Sequence, residues 1–175
     1  SGTLSANLAE GEVVKVSLNN GATWTNATAF VGQNAWTLAG QTLTGSNMLF
    51  MKVVDAAGND GVVSSQAYTL DTTAPTTTIS TKAFSADTGD LASDFITKTA
   101  LQNISGTLSA NLASGEVVKV SLDNGATWIK APAAVGQNTW SLASQTLSGS
   151  STLLVKVVDA AGNESAFTTI TWVLD

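Results

Sequence analysis

Three carboxylates crowd one short stretch of this sequence. Asp87, Asp90 and Asp94 fall within eight residues around Gly89, in a chain where only 11% of residues are charged. Hard cations take several carboxylate and carbonyl oxygens from a flexible loop, and Gly89 allows a sharp turn. Carboxylates so close together repel one another unless something neutralises them. We therefore expect calcium at Asp87, Asp90 and Asp94, completed by backbone carbonyls of the loop. The bland reading is a solvated loop in which Asp is a turn former. A second candidate is Asp159 with Gly162-Asn163, repeated as Asp55 with Gly58-Asn59. The same residues would equally form a plain Asx-type turn.

Other chemistries lack their residues. Histidine, cysteine and arginine are absent. That leaves no Ser-His or Cys-His pair and no imidazole metal site. Ser–Lys chemistry is conceivable, but Lys15, Lys52, Lys119 and Lys156 stand at alternating strand positions, as a solvated outer face would place them. No glycine-rich phosphate loop precedes a helix. We expect no enzyme and no small-molecule substrate. Ser121-Leu122-Asp123-Asn124-Gly125-Ala126-Thr127-Trp128 fits the Asp-box pattern S-x-D-x-G-x-T-W of sialidase propellers. A sialidase needs several boxes and an arginine cluster, so the box reads here as a hairpin device with no catalytic meaning. Flat aromatics also stack on sugars, which makes a carbohydrate-binding module the alternative function. Trp24/Trp128 and Trp36/Trp140 recur in register with strand patterns, which favours core packing. Trp172 is a candidate for packing against a following domain.

These residues must be positioned by strands. Glu12–Trp24 and Glu116–Trp128 are nearly the same stretch, offset by 104 residues, and the offset holds without a gap from Ser1/Ser105 to Asp71/Asp175. About two-thirds of the aligned positions are identical, and a repeat this long is one domain per copy. Val118, Val120 and Leu122 alternate with Lys119 and Ser121, the pattern of a half-buried strand. Asp123-Asn124-Gly125 supplies a turn. Turn signals recur every 8–12 residues or so, as in a sandwich. In the first copy the expected strands are Ser1–Leu8, Val13–Leu18, Ala22–Phe30, Ala35–Leu43, Met48–Val54 and Val62–Leu70. The second copy adds Thr76–Lys82 and Phe95–Ile104.

The expected fold is all-β: tandem immunoglobulin-like antiparallel β-sandwiches of about seven strands per complete repeat. Residues 1–71 form a repeat lacking its opening strand and acidic loop, 72–75 a stiff linker ending at Pro75, and 76–175 a complete repeat. The missing strand leaves a sheet edge and a core face uncovered, to be filled by upstream chain or by another molecule. Strand parity puts the Asp87–Asp94 loop, the Asp123 hairpin and Asp175 at one end of the second copy. The Asp159–Glu164 loop falls at the other end, beside Asp71. Cations there would bridge consecutive repeats, and Asp123 or Asp175 would add ligands.

The net charge is −6 and all seven basic residues are Lys, a poor match for nucleic acid or an anionic membrane. The apolar runs are strand-sized, so no membrane insertion is expected. Ser1 opens no signal peptide, and the chain reads as cut from something longer. Without disulfides, a small extracellular domain needs another brace, and a metal would serve.

The 104-residue period, the D-T-T-A-P linker, the D-T-G-x-x-x-x-D loop and the V-D-x-A-G-N loop together resemble the bacterial immunoglobulin-like extender repeats of giant RTX adhesins. The likeness is to the calcium-stabilised region of the ice-binding adhesin type. It implies a structural spacer on the surface of a Gram-negative bacterium, exported by type I secretion. Its partners would be neighbouring repeats of the same chain, and calcium would hold it straight. Asp71, Asp87, Asp90, Asp94, Asp159 and Asn163 fall on that pattern.

Overall fold

A computed structural model describes residues 1–175, which form two compact units, Ser1–Asp71 and Thr72–Asp175. Both are built of strands and loops without helix. The first holds β1 (Gly2–Thr3), β2 (Val13–Ser17), β3 (Thr25–Asn26), β4 (Thr28–Ala29), β5 (Ala35–Thr37), β6 (Asn47–Val54) and β7 (Ser64–Tyr68). The second holds β8 (Ile79–Phe84), β9 (Ile96–Thr97), β10 (Leu101–Leu108), β11 (Val117–Ser121), β12 (Ile129–Ala131), β13 (Thr139–Thr146), β14 (Ser151–Val158) and β15 (Thr168–Leu174).

The second unit is a complete sandwich. One sheet has the order β13-β10-β8, the other β12-β11-β14-β15-β9. Strand alternation turns Ile104, Leu108, Trp140 and Leu142 of the first sheet toward Val118, Val120, Leu153, Val155 and Val157 of the second. Ile104, Val118, Val120, Leu153, Val155 and Val157 are fully buried. All pairs are antiparallel except β15 with β9, which run parallel through Val173↔Ile96 and Leu174↔Thr97. The expected Phe95–Ile104 strand is thus two elements in different sheets.

The first unit repeats this plan without counterparts of β8 and β9. Its sheets are β1-β5-β4 and β3-β2-β6-β7. The expected strand Ala35–Leu43 shrinks to β5, whereas β13, its counterpart, runs eight residues. The ladders differ: Thr146, Gln145 and Leu142 pair with Leu101, Gln102 and Ile104 of β10, whereas β5 pairs through Trp36 and Ala35 with Gly2 and Thr3 of β1. Ala22–Phe30 breaks into β3, paired with β2, and β4, paired with β5 in the other sheet. Among the four residues of this unit's buried cluster are Leu8, Val14 and Trp36, while Leu49, Met51 and Val53 are only half-buried.

The tryptophans divide in two. Trp36 and Trp140 are buried, as expected of core residues. Trp172 is buried as well, in the core of its own unit and not against a following domain. It alternates inward from β15 with Thr171 and Val173 on either side. Trp24 and Trp128 are half-buried, because they lie on the outer face of the sheet under a lysine. Lys52 Nζ stands 4.4 Å from the Trp24 ring centroid and Lys156 Nζ 3.8 Å from that of Trp128. The lysines accordingly are not a solvated face: Lys156 is 7% exposed and binds Glu164 at 2.6 Å. Lys52 binds Asp60 at 2.6 Å.

Candidate functional site

The acidic loop is tied down by a buried glutamine. Gln102 lies on β10, fully buried, where a strand pattern would place an apolar residue. Its Nε2 donates to Ala86 O at 2.9 Å and Thr99 O at 2.8 Å, and its Oε1 accepts from Ala86 N at 2.9 Å. Thr97 Oγ1 adds a bond to Ala86 O at 2.6 Å. A buried amide with both ends satisfied fixes geometry, because leaving any of these groups unpaired would be costly. The mouth of the loop is thereby held to β9 and β10. The sequence offered one signal for this, a polar Gln at an inward position of an apolar strand.

Within the loop, Asp87 Oδ2 accepts from Phe95 N at 3.0 Å. Phe95 is buried against Phe84 and has a φ of 64°, a backbone region rare for a bulky residue. The carboxylate thus holds a strained residue in place. The other oxygen, Asp87 Oδ1, is buried without a partner. Asp94 Oδ1 accepts from Ile96 N at 3.1 Å. Asp90 and Asp94 are exposed. Asp87, Asp90 and Asp94 do not converge, and no three acidic side chains of the chain gather as a metal-holding group.

Asp175 and the Asp123 hairpin share this end of the unit. Asp175 N donates to Thr97 O at 3.0 Å, beside β9. Asn124 N donates to Thr152 O at 3.2 Å, at the start of β14, where Ser151 pairs with Trp172. Asp123 is fully engaged in its own turn. Its Oδ1 accepts from Thr127 N at 2.8 Å and from Ser121 Oγ at 2.7 Å. The Thr127 hydroxyl, the Thr127 amide and the Ser121 hydroxyl together lower its pKa to about 2. Asn124 and Gly125 take φ of 58° and 90° at the centre of a tight turn that Ala126 N closes on Asp123 O at 3.3 Å, within the longer connection from Val120 to Ile129. The first unit builds the same turn with Asn19: Thr23 N donates to its Oδ1 at 2.9 Å, and Asn19 Nδ2 donates to Thr23 Oγ1 at 2.8 Å.

The Asp159–Glu164 loop lies at the opposite end, where Val158 pairs with Val117. Asp159 Oδ1 accepts from the amides of Ala161 and Asn163 at 2.9 and 2.8 Å, and Oδ2 from Asn163 Nδ2 at 2.9 Å. Asp55 makes the same set with Ala57 and Asn59. Each is a closed Asx turn, and these bonds, the Asn side chain first, lower the pKa of both aspartates. Asp71 is exposed at the end of the first unit.

A sandwich with this strand order and a parallel terminal pair is of the immunoglobulin-like class. Residues 73–175 match the bacterial Ig-like domain family, and the chain belongs to it. No curated protein matches the chain. Among solved structures, a tetra-tandem repeat in the extending region of a large adhesion protein is 23% identical. That likeness covers 97% of this chain and 43% of that one, with a TM-score of 0.33. The BSP domain of a biofilm associated protein is 12% identical, over 95% of this chain and 25% of that one, with a TM-score of 0.35. The chain thus spans less than half the length of either structure, and neither score carries a function across.

Proposed function

We propose that these are tandem extender repeats of a bacterial cell-surface adhesin, which give length and stiffness and carry no carbohydrate site of their own. The observation that carries this reading is the fate of the five tryptophans. Trp36, Trp140 and Trp172 are buried in their own cores, and Lys52 and Lys156 take a face each of Trp24 and Trp128. The aromatic platforms a carbohydrate module would need are spent on holding the domains together. The Asp-box supports the same reading, since Asn19 replaces Asp123 with the hairpin bonds kept. Titrating glycans against tryptophan fluorescence tests it: a spacer gives no quenching, and saturable quenching would restore the carbohydrate module.

The finer reading is that calcium stiffens the repeats, as in a spacer secreted by the type I route and displayed on a Gram-negative cell. The orphaned, buried Asp87 Oδ1 supports it, on a loop whose donors are the hard oxygens calcium prefers. Asp90 and Asp94 would have to be drawn in around the ion, with backbone carbonyls of the loop and Asp175 within the same end. The closed turns at Asp159 and Asp55 have less to offer, since their carboxylates are already bonded. Extracellular modules bind calcium at roughly 10⁻⁴ to 10⁻³ M. A tenfold excess over the dissociation constant would stabilise by about 1.4 kcal/mol per site. Melting and small-angle scattering, with calcium and with chelator, are to be compared for the chain and an Asp87→Ala, Asp94→Ala double variant. Calcium should raise the melting temperature by several degrees in the first only. An unchanged melting temperature and maximum dimension would reduce the loop to a solvated turn.

A further inference from the structure

The sequence holds two Asn-Gly pairs, Asn20-Gly21 and Asn124-Gly125, one at the tip of each Asp-box hairpin. Such a pair has a chemistry of its own, because glycine has no Cβ to keep its backbone nitrogen away from the asparagine side chain. The glycine amide gives its proton to solvent, and its nitrogen bonds to the asparagine Cγ. The Cγ–Nδ2 bond breaks, and the nitrogen leaves as ammonia after taking up a proton. Water then opens the cyclic imide at either carbonyl, which gives aspartate or isoaspartate. Water is the only co-reactant.

Most of the geometry is shared by the two hairpins. Asn20 and Asn124 are both exposed, with φ of 60° and 58°. Gly21 N donates to Ser17 Oγ at 2.9 Å, and Gly125 N to Ser121 Oγ at 2.8 Å. Both serines are buried. Ser17 Oγ in turn donates to Asn19 Oδ1 at 2.9 Å, and Ser121 Oγ to Asp123 Oδ1 at 2.7 Å. The attacking nitrogen is thus tied, through one hydroxyl, to the side chain at the start of the turn.

That side chain differs in charge. Asp123 is a carboxylate at neutral pH, and Asn19 is a neutral amide. A carboxylate draws on the serine proton and makes Oγ a better acceptor for the glycine N–H. Its charge also opposes the negative charge that must develop on the glycine nitrogen. The second hairpin is closed in besides. A Cβ at Gly125 would stand 3.2 Å from Leu154 Cδ1, whereas at Gly21 the nearest atom is Trp24 Cζ2 at 4.0 Å. Asn124 N is also held by Thr152 O at 3.2 Å.

We infer that Asn20 is a site of self-modification, converting to aspartate and isoaspartate in the folded chain, and that the Asp123 carboxylate protects the matching Asn124. Conversion puts a new charge, and in isoaspartate an extra backbone atom, into the tip of the first hairpin. The inference stands apart from the spacer reading.

The test ages the intact 175-residue chain at mildly alkaline pH and follows both asparagines by peptide mapping and mass spectrometry. Two variants exchange the charge, Asn19→Asp and Asp123→Asn. Each brings in a residue that the other hairpin already carries, so both turns keep their bonds. Asn20 should convert at least about threefold faster than Asn124, the order of effect of a unit charge a few ångströms away in water. Asn19→Asp should slow Asn20 alone, and Asp123→Asn should speed Asn124 alone. Equal rates in the parent chain, no conversion at either residue, or rates indifferent to both substitutions overturn the inference. So does a variant that shifts both residues together, because loosening of the chain would then set the rate.

Discussion

Asp123 and Asn19 do one job with different chemistry, and pH separates them. Asp123 accepts three bonds from Thr127 and Ser121 as a carboxylate, which depresses its pKa from the ordinary 3.8 to about 2. A depressed folded pKa contributes stability that is complete above the unfolded value and is lost as pH falls through the folded one. The second hairpin should therefore loosen between about pH 4 and pH 2. The first should not, because an amide does not titrate there. The amide shifts of Thr127 and Thr23 in an acid titration read this directly. Equal movement of both would contradict it. Gln102 gives a second residue-scale expectation. Gln102→Leu keeps the volume but takes the partner from Ala86 N and Thr99 O, both in half-buried residues, at up to about 1–3 kcal/mol for each group that water cannot reach. Denaturant melts should show that loss, with faster exchange through residues 86–99.

At the scale of elements, periodicity made the strands legible and the ladder decided their lengths. Val14/Val16 and Val118/Val120 alternate cleanly and form β2 and β11 as read. β5 is short because its ladder to β1 runs only through Gly2↔Trp36 and Thr3↔Ala35, a nonlocal cause that no local pattern shows. The lysines misled for a related reason. Alternation correctly put Lys119 and Lys156 on the outer face, directly opposite each other. It could not show that Trp128 and Glu164 fold over that face and bury Lys156. The candidate cation residues were legible as an acidic loop at one end of the sandwich. Their failure to converge was not, since Asp87 turns inward to Phe95 while Asp90 stays in solvent. Packing strength is the testable quantity here. Trp140→Ala should cost roughly 3–5 kcal/mol, because its site is closed by Ile104, Leu108 and Val118. Trp36→Ala should cost less, because the space it leaves opens into a groove beside Leu4. Chemical denaturation of the two variants, followed separately for each unit, checks the order.

The two units repeat one fold with unequal burial, and stability should follow burial. The second unit encloses sixteen buried residues in a single cluster, the first only four. Stability is a small difference between burial and chain entropy, so half-burying Leu49, Met51 and Val53 removes a large share of the favourable side. The bonds do not compensate, since hairpin and Asx turn are the same in both units. The first unit should thus melt first, in a transition of its own. Differential scanning calorimetry of the intact chain resolves the two, and tryptophan variants assign them: Trp140→Ala should lower only the upper transition. A single cooperative transition that Trp36→Ala and Trp140→Ala lower alike would mean that the two units do not melt separately.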